Sequence, residues 1–417
     1  LNKIEFIEYN LDNGLKIVLQ RDRRLPLINL TLGYKVGSKD EQAGKKGIAH
    51  LFEHLMFQGS ANIKKNEHFS IIQNTGGECN AYTNQDITVY YEKIPSNFLE
   101  TALWLESDRM ISLNLTEENL DNQKKVVIEE KHSRYDNAPY GTSFINILKH
   151  TLINSNYESA TIGNEKDILA FTVEDAIGFH KKFYSPSNAV LILSGDFEYR
   201  QAKFQILKYF GSIKKPGVTE RIPNIVNSLD NSDRLTFYDN VKLPVLYICY
   251  RIPKIGNQED YTLEYFTNLM ANNKSSILYK RLVYEKKLLN SLQVFKYQIE
   301  QAGILIFVAM LNEGTNLDNV ENEIYTAIGE FYNDGFIDTD YEKIKNEIVY
   351  HITLNYSVLM NINLELLHNL FFHNDLNRIN TKIDNYLAVK KEDVLKSVHD
   401  YLINKPKIVI QYLPFKK

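Results

Sequence analysis

The sequence predicts an α+β protein built of two homologous domains, each a mixed β-sheet backed by helices. Three observations carry that prediction. β-rich runs and helical periods are mixed without a strict strand–helix–strand alternation, which argues for α+β rather than a doubly wound parallel sheet. The order of elements in the first half recurs in the second, as an internal duplication would leave it. Between the halves, residues 213–232 hold Pro216, Gly217 and Pro223 among many Asn and Asp, the composition of a linker. The domains are therefore expected at 1–212 and 233–417, with helices on one face of each sheet.

The first half reads in order. Leu15 to Leu19 and Ile28 to Tyr34 are β-rich runs, and a helix follows from Gly47 to Phe57. A second helix, Glu67 to Asn74, ends at Gly76-Gly77, as a helix C-terminus should. Asn80 to Ile94 is strand-like with a break at Asn84-Gln85. Ser96 to Met110 and the longer Thr116 to Tyr135 are helical. Thr172-Val173-Glu174-Asp175 opens another helix, to Tyr184, and Asn188 to Leu193 is a buried strand. In the second half, strand Val245 to Arg251 precedes helices Asp260 to Met270 and Ser275 to Leu288. Strands Val294 to Gln298 and Ile304 to Leu311 follow, then helices Leu317 to Tyr332 and Thr339 to Leu354. Lys391-Glu392-Asp393 opens a helix to Leu402, and Lys407 to Gln411 is the closing strand.

Composition narrows the function. The 417 residues are 44% hydrophobic and 24% charged, with 52 acids against 48 bases. This is globular composition without the basic excess of a nucleic-acid binder. No apolar run approaches the roughly 18 residues that span a bilayer. Two cysteines, Cys79 and Cys249, exclude a disulfide framework and a cysteine-built zinc site. The chain begins at Leu1, so a targeting peptide or another preceding segment is one reading of its start.

The helix Gly47 to Phe57 carries chemistry. At about 100° per residue, Ile48, Leu51, Phe52, Leu55 and Met56 form one stripe. His50, Glu53 and His54 fall together on the other side. Two imidazoles at i and i+4 can share one metal ion, and neutral histidine nitrogens suit Zn²⁺. Glu53, beside them and not needed as a ligand, fits a general base for a water. A third ligand is required. The helix Thr116 to Tyr135 offers Glu129 and Glu130, which point about 100° apart, so spacing leaves the choice between them open. His68, His150, His180 and His399 sit in helices without an evident metal-type partner.

The string His50-Leu51-Phe52-Glu53-His54, followed by Glu130 with 75 residues between His54 and it, resembles the inverted zincins of the pitrilysin and insulinase family. Further segments match in order: Gly37-Ser38, Gly47-Ile48-Ala49, Gly77 with Asn80-Ala81-Tyr82-Thr83, Thr88-Val89-Tyr90, Leu105 to Met110, Tyr184 to Asn188, and Gly195-Asp196. The resemblance covers nearly the whole chain. It is similar in length to the β subunit of mitochondrial processing peptidase and to short bacterial members. It implies a zinc endopeptidase acting on short or unfolded peptides, with His50, His54 and Glu130 as ligands and Glu53 as base. It also implies that Asn80, Ala81 and Thr83 bind substrate backbone at a sheet edge.

Two departures qualify the resemblance. The family usually has a glutamate seven residues before the glutamate ligand, and here that position is Gln123. An amide there orients a neighbour by hydrogen bonding without supplying charge. Family members that complete their own site also present an Arg and, seven residues on, a Tyr that stabilise the oxyanion. Here Val283 and Asn290 align with them. A one-residue shift brings Tyr284 and Ser291, and Arg281 has no correctly spaced Tyr. The expectation is a heterodimer in which a second homologous subunit supplies the Arg/Tyr pair. Alternatives are a non-catalytic structural subunit of the same fold and a presequence-processing peptidase. The expected location is the bacterial periplasm, with a mitochondrial-type compartment as the alternative.

Overall fold

The computed structural model describes residues 3–214, 221 and 226–415. Among them, eleven strands form two sheets. The first holds β1 (Ile7–Asn10), β2 (Lys16–Arg21), β3 (Leu27–Tyr34), β4 (Glu78–Thr83), β5 (Thr88–Pro95) and β6 (Ala189–Gly195), in the order β1-β2-β6-β3-β5-β4. Only β2 and β6 pair in parallel. The second holds β7 (Asp233–Asp239), β8 (Val245–Ile252), β9 (Leu289–Gln298), β10 (Gly303–Leu311) and β11 (Lys407–Pro414), in the order β7-β11-β8-β10-β9. Here only β7 and β11 are parallel. Without β1 the two orders coincide strand for strand, so the duplication read from sequence is present in the topology of each sheet.

The middle strands β3 and β6 are buried almost throughout, which requires cover on both faces. The expectation of helices on one face is therefore corrected. On β3, Asn29, Thr31 and Gly33 share a face because strand side chains alternate. The helix Leu359–His368 lies over that face. Asn363, fully buried, donates through Nδ2 to the Asn29 carbonyl at 2.9 Å and to Thr31 Oγ1 at 3.0 Å. A Cβ on Gly33 would meet the Leu367 side chain at 2.6 Å, so the glycine permits the close approach. In the second sheet the helix Ser143–Thr151 packs on β8 and β11. Its Ile147 and Leu148 join Val245, Tyr247 and Ile410 in one core, and Asn146 Nδ2 donates to the Tyr412 hydroxyl at 2.7 Å.

These helices also correct the domain boundaries. The compact units are Leu1–His132 with Ser159–Asn224 and Thr353–Asn380, and Ser133–Glu158 with Ile225–Ile352 and Thr381–Lys417. The division 1–212 and 233–417 follows chain order, but each unit draws one covering helix from the other half of the sequence. The reason is physical: each apolar sheet needs a second face covered, and its own half of the chain does not supply the helix. Pro216, Gly217 and Pro223 of the expected linker 213–232 lie outside the described residues.

The helix expected over Ser275 to Leu288 is shorter. Its turns widen to π geometry over Tyr279–Glu285, and Lys287 takes a φ of 52°, turning the chain into β9. Among the described residues no helix is long and apolar enough to cross a membrane.

Candidate metal centre

The helix Ile48–Leu55 begins where the sequence makes it begin. Gly47 has a φ of 96°, and a Cβ there would meet the Ile162 carbonyl oxygen at 2.8 Å. Only glycine fits both demands. The orphan amides of the first turn are taken by Glu41: Oε2 accepts from Gly47 N at 3.0 Å and Oε1 from Ala49 N at 2.9 Å. Burial pushes the Glu41 carboxyl up to about 8, against the pull of those amides. Ile48, Ala49, Leu51, Phe52 and Leu55 are buried. Burying each of the larger side chains contributes about 1.5–3 kcal/mol, which fixes the rotation of the helix. His50, Glu53 and His54 are left on the half-buried face.

The helix Glu117–Lys131 packs against it. Thr116 Oγ1 accepts from Asn119 N at 3.2 Å, and Glu117 and Glu118 occupy the first turn, where the helix dipole favours acids. Val127 and Ile128 are buried, so Glu130 is turned toward the first helix, while Glu129 is exposed. Glu130 Oε2 lies 3.8 Å from His50 Nε2 and 3.4 Å from His54 Nε2. Donors about 2.0–2.2 Å from a tetrahedral zinc stand roughly 3.4 Å apart, so this set fits such an ion. The three side chains are 12, 23 and 17% exposed, leaving an approach from solvent. Burial holds the phenols of Tyr90 and Tyr184 far above their ordinary range, and the nearby Glu53 carboxylate adds to it. Gln123 is buried two turns before Glu130 on the same helix.

Asn80, Ala81 and Thr83 lie on β4, the outermost strand of its sheet. Among the described strands it bonds to β5 alone, with Asn80 opposite Tyr91, Ala81 opposite Tyr90 and Thr83 opposite Thr88. Asn80 Oδ1 accepts from Ala81 N at 2.8 Å.

A second cluster in the same unit escaped sequence reasoning. His68, expected to lack a metal-type partner, has Nε2 at 2.8 Å from Glu92 Oε1. Glu106 is held by Arg109, through Nε at 2.9 Å and a further contact from Nη2. The Arg109 guanidinium lies over the Tyr90 ring at 4.3 Å and the Phe57 ring at 4.9 Å. Burial raises the Glu92 and Glu106 carboxyls to about 7 and lowers the His68 imidazole to about 3. The donor atoms of His68, Glu92 and Glu106 lie within 4.8 Å of one another, as do those of the first set. A divalent ion fits poorly here, because the guanidinium already holds Glu106. Glu41 and this cluster left no local signal: Glu92 and Glu106 are 24 and 38 residues from His68, on a strand and on another helix.

In the second unit, Val283 sits in the π segment and Asn290 is exposed on β9. Arg281 is ion-paired with Glu330, and Tyr284 is exposed.

Comparison with known proteins places these features in context. Residues 16–165 match the model described as insulinase (peptidase family M16), and residues 170–348 match that of the peptidase M16 inactive domain. The zinc protease PqqE of Helicobacter pylori is 29% identical over 340 residues, covering 80% of this chain and 76% of that protein. An uncharacterized zinc protease of Bacillus subtilis, YmxG, is 24% identical, covering 82% of each. The crystal structure of a protease from Helicobacter pylori matches with a TM-score of 0.94 and 26% identity, over 99% of this chain and 100% of that one.

Proposed function

The chain belongs to peptidase family M16, the insulinase family, and from that premise we propose that it is a zinc-dependent endopeptidase for short or unfolded peptides. The observation that carries the proposal is the convergence of His50, His54 and Glu130 on one point, with Glu53 beside them on the same helix face. A zinc ion held by those three side chains would polarise the scissile carbonyl and make a water more acidic. Glu53 takes the proton from that water as its oxygen bonds the carbonyl carbon. The same carboxyl then gives the proton to the amide nitrogen as the C–N bond breaks. The outer edge of β4, around Asn80 to Thr83, holds the peptide as an added strand. Backbone pairing of this kind accepts many sequences.

The active form is a heterodimer in this reading. Val283 and Asn290 stand where related chains carry the Arg/Tyr pair, and neither bears the charge of a guanidinium. Arg281 is committed to Glu330. A homologous partner would supply the missing donors for the oxyanion.

The test is hydrolysis of a quenched-fluorescent peptide by the zinc-loaded chain alone, with Glu53→Gln as control. Zinc bound without turnover, restored by a homologous chain that carries the pair, is the expected result. Robust turnover by the chain alone that Glu53→Gln abolishes would keep the peptidase and discard the heterodimer. Measurable turnover, alone or with the partner chain, that is equal for wild type and Glu53→Gln would discard the assignment of the base.

A further inference from the structure

The buried cluster His68, Glu92, Glu106 and Arg109 has a charge sum that constrains its protonation. Its residues are 4, 0, 1 and 2% exposed. With both carboxylates ionised and the imidazole neutral, one guanidinium leaves a net charge of minus one. An uncompensated charge in such a site is costly. A divalent cation would overshoot to plus one and crowd the guanidinium. One proton kept between the two carboxyls brings the sum to zero. Two carboxyls in close company hold a shared proton more tightly than either would alone, and both are raised to about 7, burial being the largest cause. Glu92 Oε2 receives no donor, and hydrogen bonding from the Glu106 carboxyl draws the Glu92 carboxyl down against its burial, so the shared proton belongs to the pair rather than to one oxygen.

The groups facing Glu92 come from every element around it. His68 comes from the helix Glu67–Asn74, Glu106 and Arg109 from the helix Leu99–Ile111, and Cys79 from β4. The phenols of Tyr34 on β3 and Tyr90 on β5, both fully buried, complete the wall, and burial keeps both protonated. Glu92 is directly opposite Cys79 in the β4–β5 ladder, and such residues point to the same face. The cluster therefore lies behind β4. Of its walls β4 is the weakest, being a sheet edge, half-buried and bonded on one side. If the cluster charges, admitting water at β4 is the cheapest relief.

We propose that Glu92 and Glu106 are positioning residues for the strand Glu78–Thr83. By sharing one proton above Arg109 and His68 they keep the back of that strand uncharged and dry. Loss of the proton loosens the strand and weakens peptide pairing along its outer edge. The peptide part rests on the peptidase reading above; the proton and strand part does not.

The experiment has two arms on the full chain. The first is amide hydrogen exchange between pH 6 and 9, corrected for the intrinsic rate. In wild type, protection of residues 78–83 falls above neutral pH by up to about tenfold per pH unit, while β9 serves as control. Glu92→Gln, neutral at every pH, flattens that dependence. A flat wild-type profile, or an undiminished slope in Glu92→Gln, overturns the proposal. If Glu92→Gln does not fold, the wild-type profile of 78–83 against β9 decides alone. The second arm is the affinity of a fluorescent peptide for the zinc-loaded Glu53→Gln chain, which should weaken over the same range. Absence of peptide binding at every pH would sink the peptide part and the peptidase reading with it, leaving the exchange arm to judge the strand. Binding that is independent of pH, with exchange that is not, would overturn only the link to substrate.

Discussion

The first unit holds two sets of one chemical kind. His50, His54 and Glu130 form one, and His68, Glu92 and Glu106 the other, each with donor atoms within 4.8 Å. The first set is partly exposed to solvent, and its donors are spaced as an ion would need them. The second is sealed and has its own cation, Arg109, locked to Glu106 and stacked on Phe57 and Tyr90. Clustering of His and Glu is therefore not by itself a metal site. What decides is whether the positive charge the carboxylates need is already built into the protein. In the first set a metal would supply it, and in the second an arginine and a proton do.

Assayed with the homologous chain that restores turnover, Glu53→Gln should keep zinc and lose about 10²–10⁴-fold in peptide hydrolysis; unchanged turnover would remove Glu53 from the chemistry. Glu130→Gln should weaken zinc binding by more than the roughly 10–100-fold that losing a supporting group costs. Glu129→Gln, changed on the exposed neighbour, should leave zinc affinity as it was. Titration against a chromophoric chelator compares the two, and equal losses would contradict the facing of this helix.

Arg109→Ala should lower stability by about 3–5 kcal/mol, because it strands buried carboxylates. Denaturant unfolding of the zinc-loaded chain measures this, and a loss below 1 kcal/mol would mean the guanidinium is not their counter-charge. A further contrast lies in pH. The folded Glu92 carboxyl, raised to about 7 chiefly by burial, binds its proton more tightly than in the unfolded chain. Its stabilisation is thus fully present below the unfolded value and is lost as pH rises through 7. The wild-type thermal midpoint should fall between pH 5 and 8 more steeply than that of Glu92→Gln. Parallel slopes would place the proton elsewhere. The smallest effect is expected at Glu41, where Gln can no longer accept from both amides. Loss of this cap should cost about 1 kcal/mol, read as a lower thermal midpoint. No change would mean that water replaces the cap.

Legibility in the sequence followed locality. His50, Glu53 and His54 are readable because one helical period sets their face. Glu130 lies on the third helix further along the chain, and spacing alone left it equal to Glu129; the family resemblance separated them. The structure gives the physical reason, since buried Val127 and Ile128 fix the rotation of their helix. The edge position of Asn80, Ala81 and Thr83 follows from strand order, which no local pattern encodes. His68 looked ordinary because its partners arrive from a strand and a helix far along the chain. The duplicated sheets were legible as β-rich runs recurring in one order, except for β1 and β7, which the sequence reading did not find. The helices Ser143–Thr151 and Leu359–His368 were missed, and with them the interleaved units, because what places them is the uncovered sheet face of the other half. The contact of Asn363 with Asn29 spans 334 residues, beyond any periodicity argument.

The contrast between the two clusters comes down to one measurement: zinc per chain after saturation and gel filtration, for wild type, Glu130→Gln and Glu92→Gln. One zinc is expected in wild type, one in Glu92→Gln and far less in Glu130→Gln. Two zinc ions in wild type, or one that departs with Glu92 rather than Glu130, would contradict that contrast.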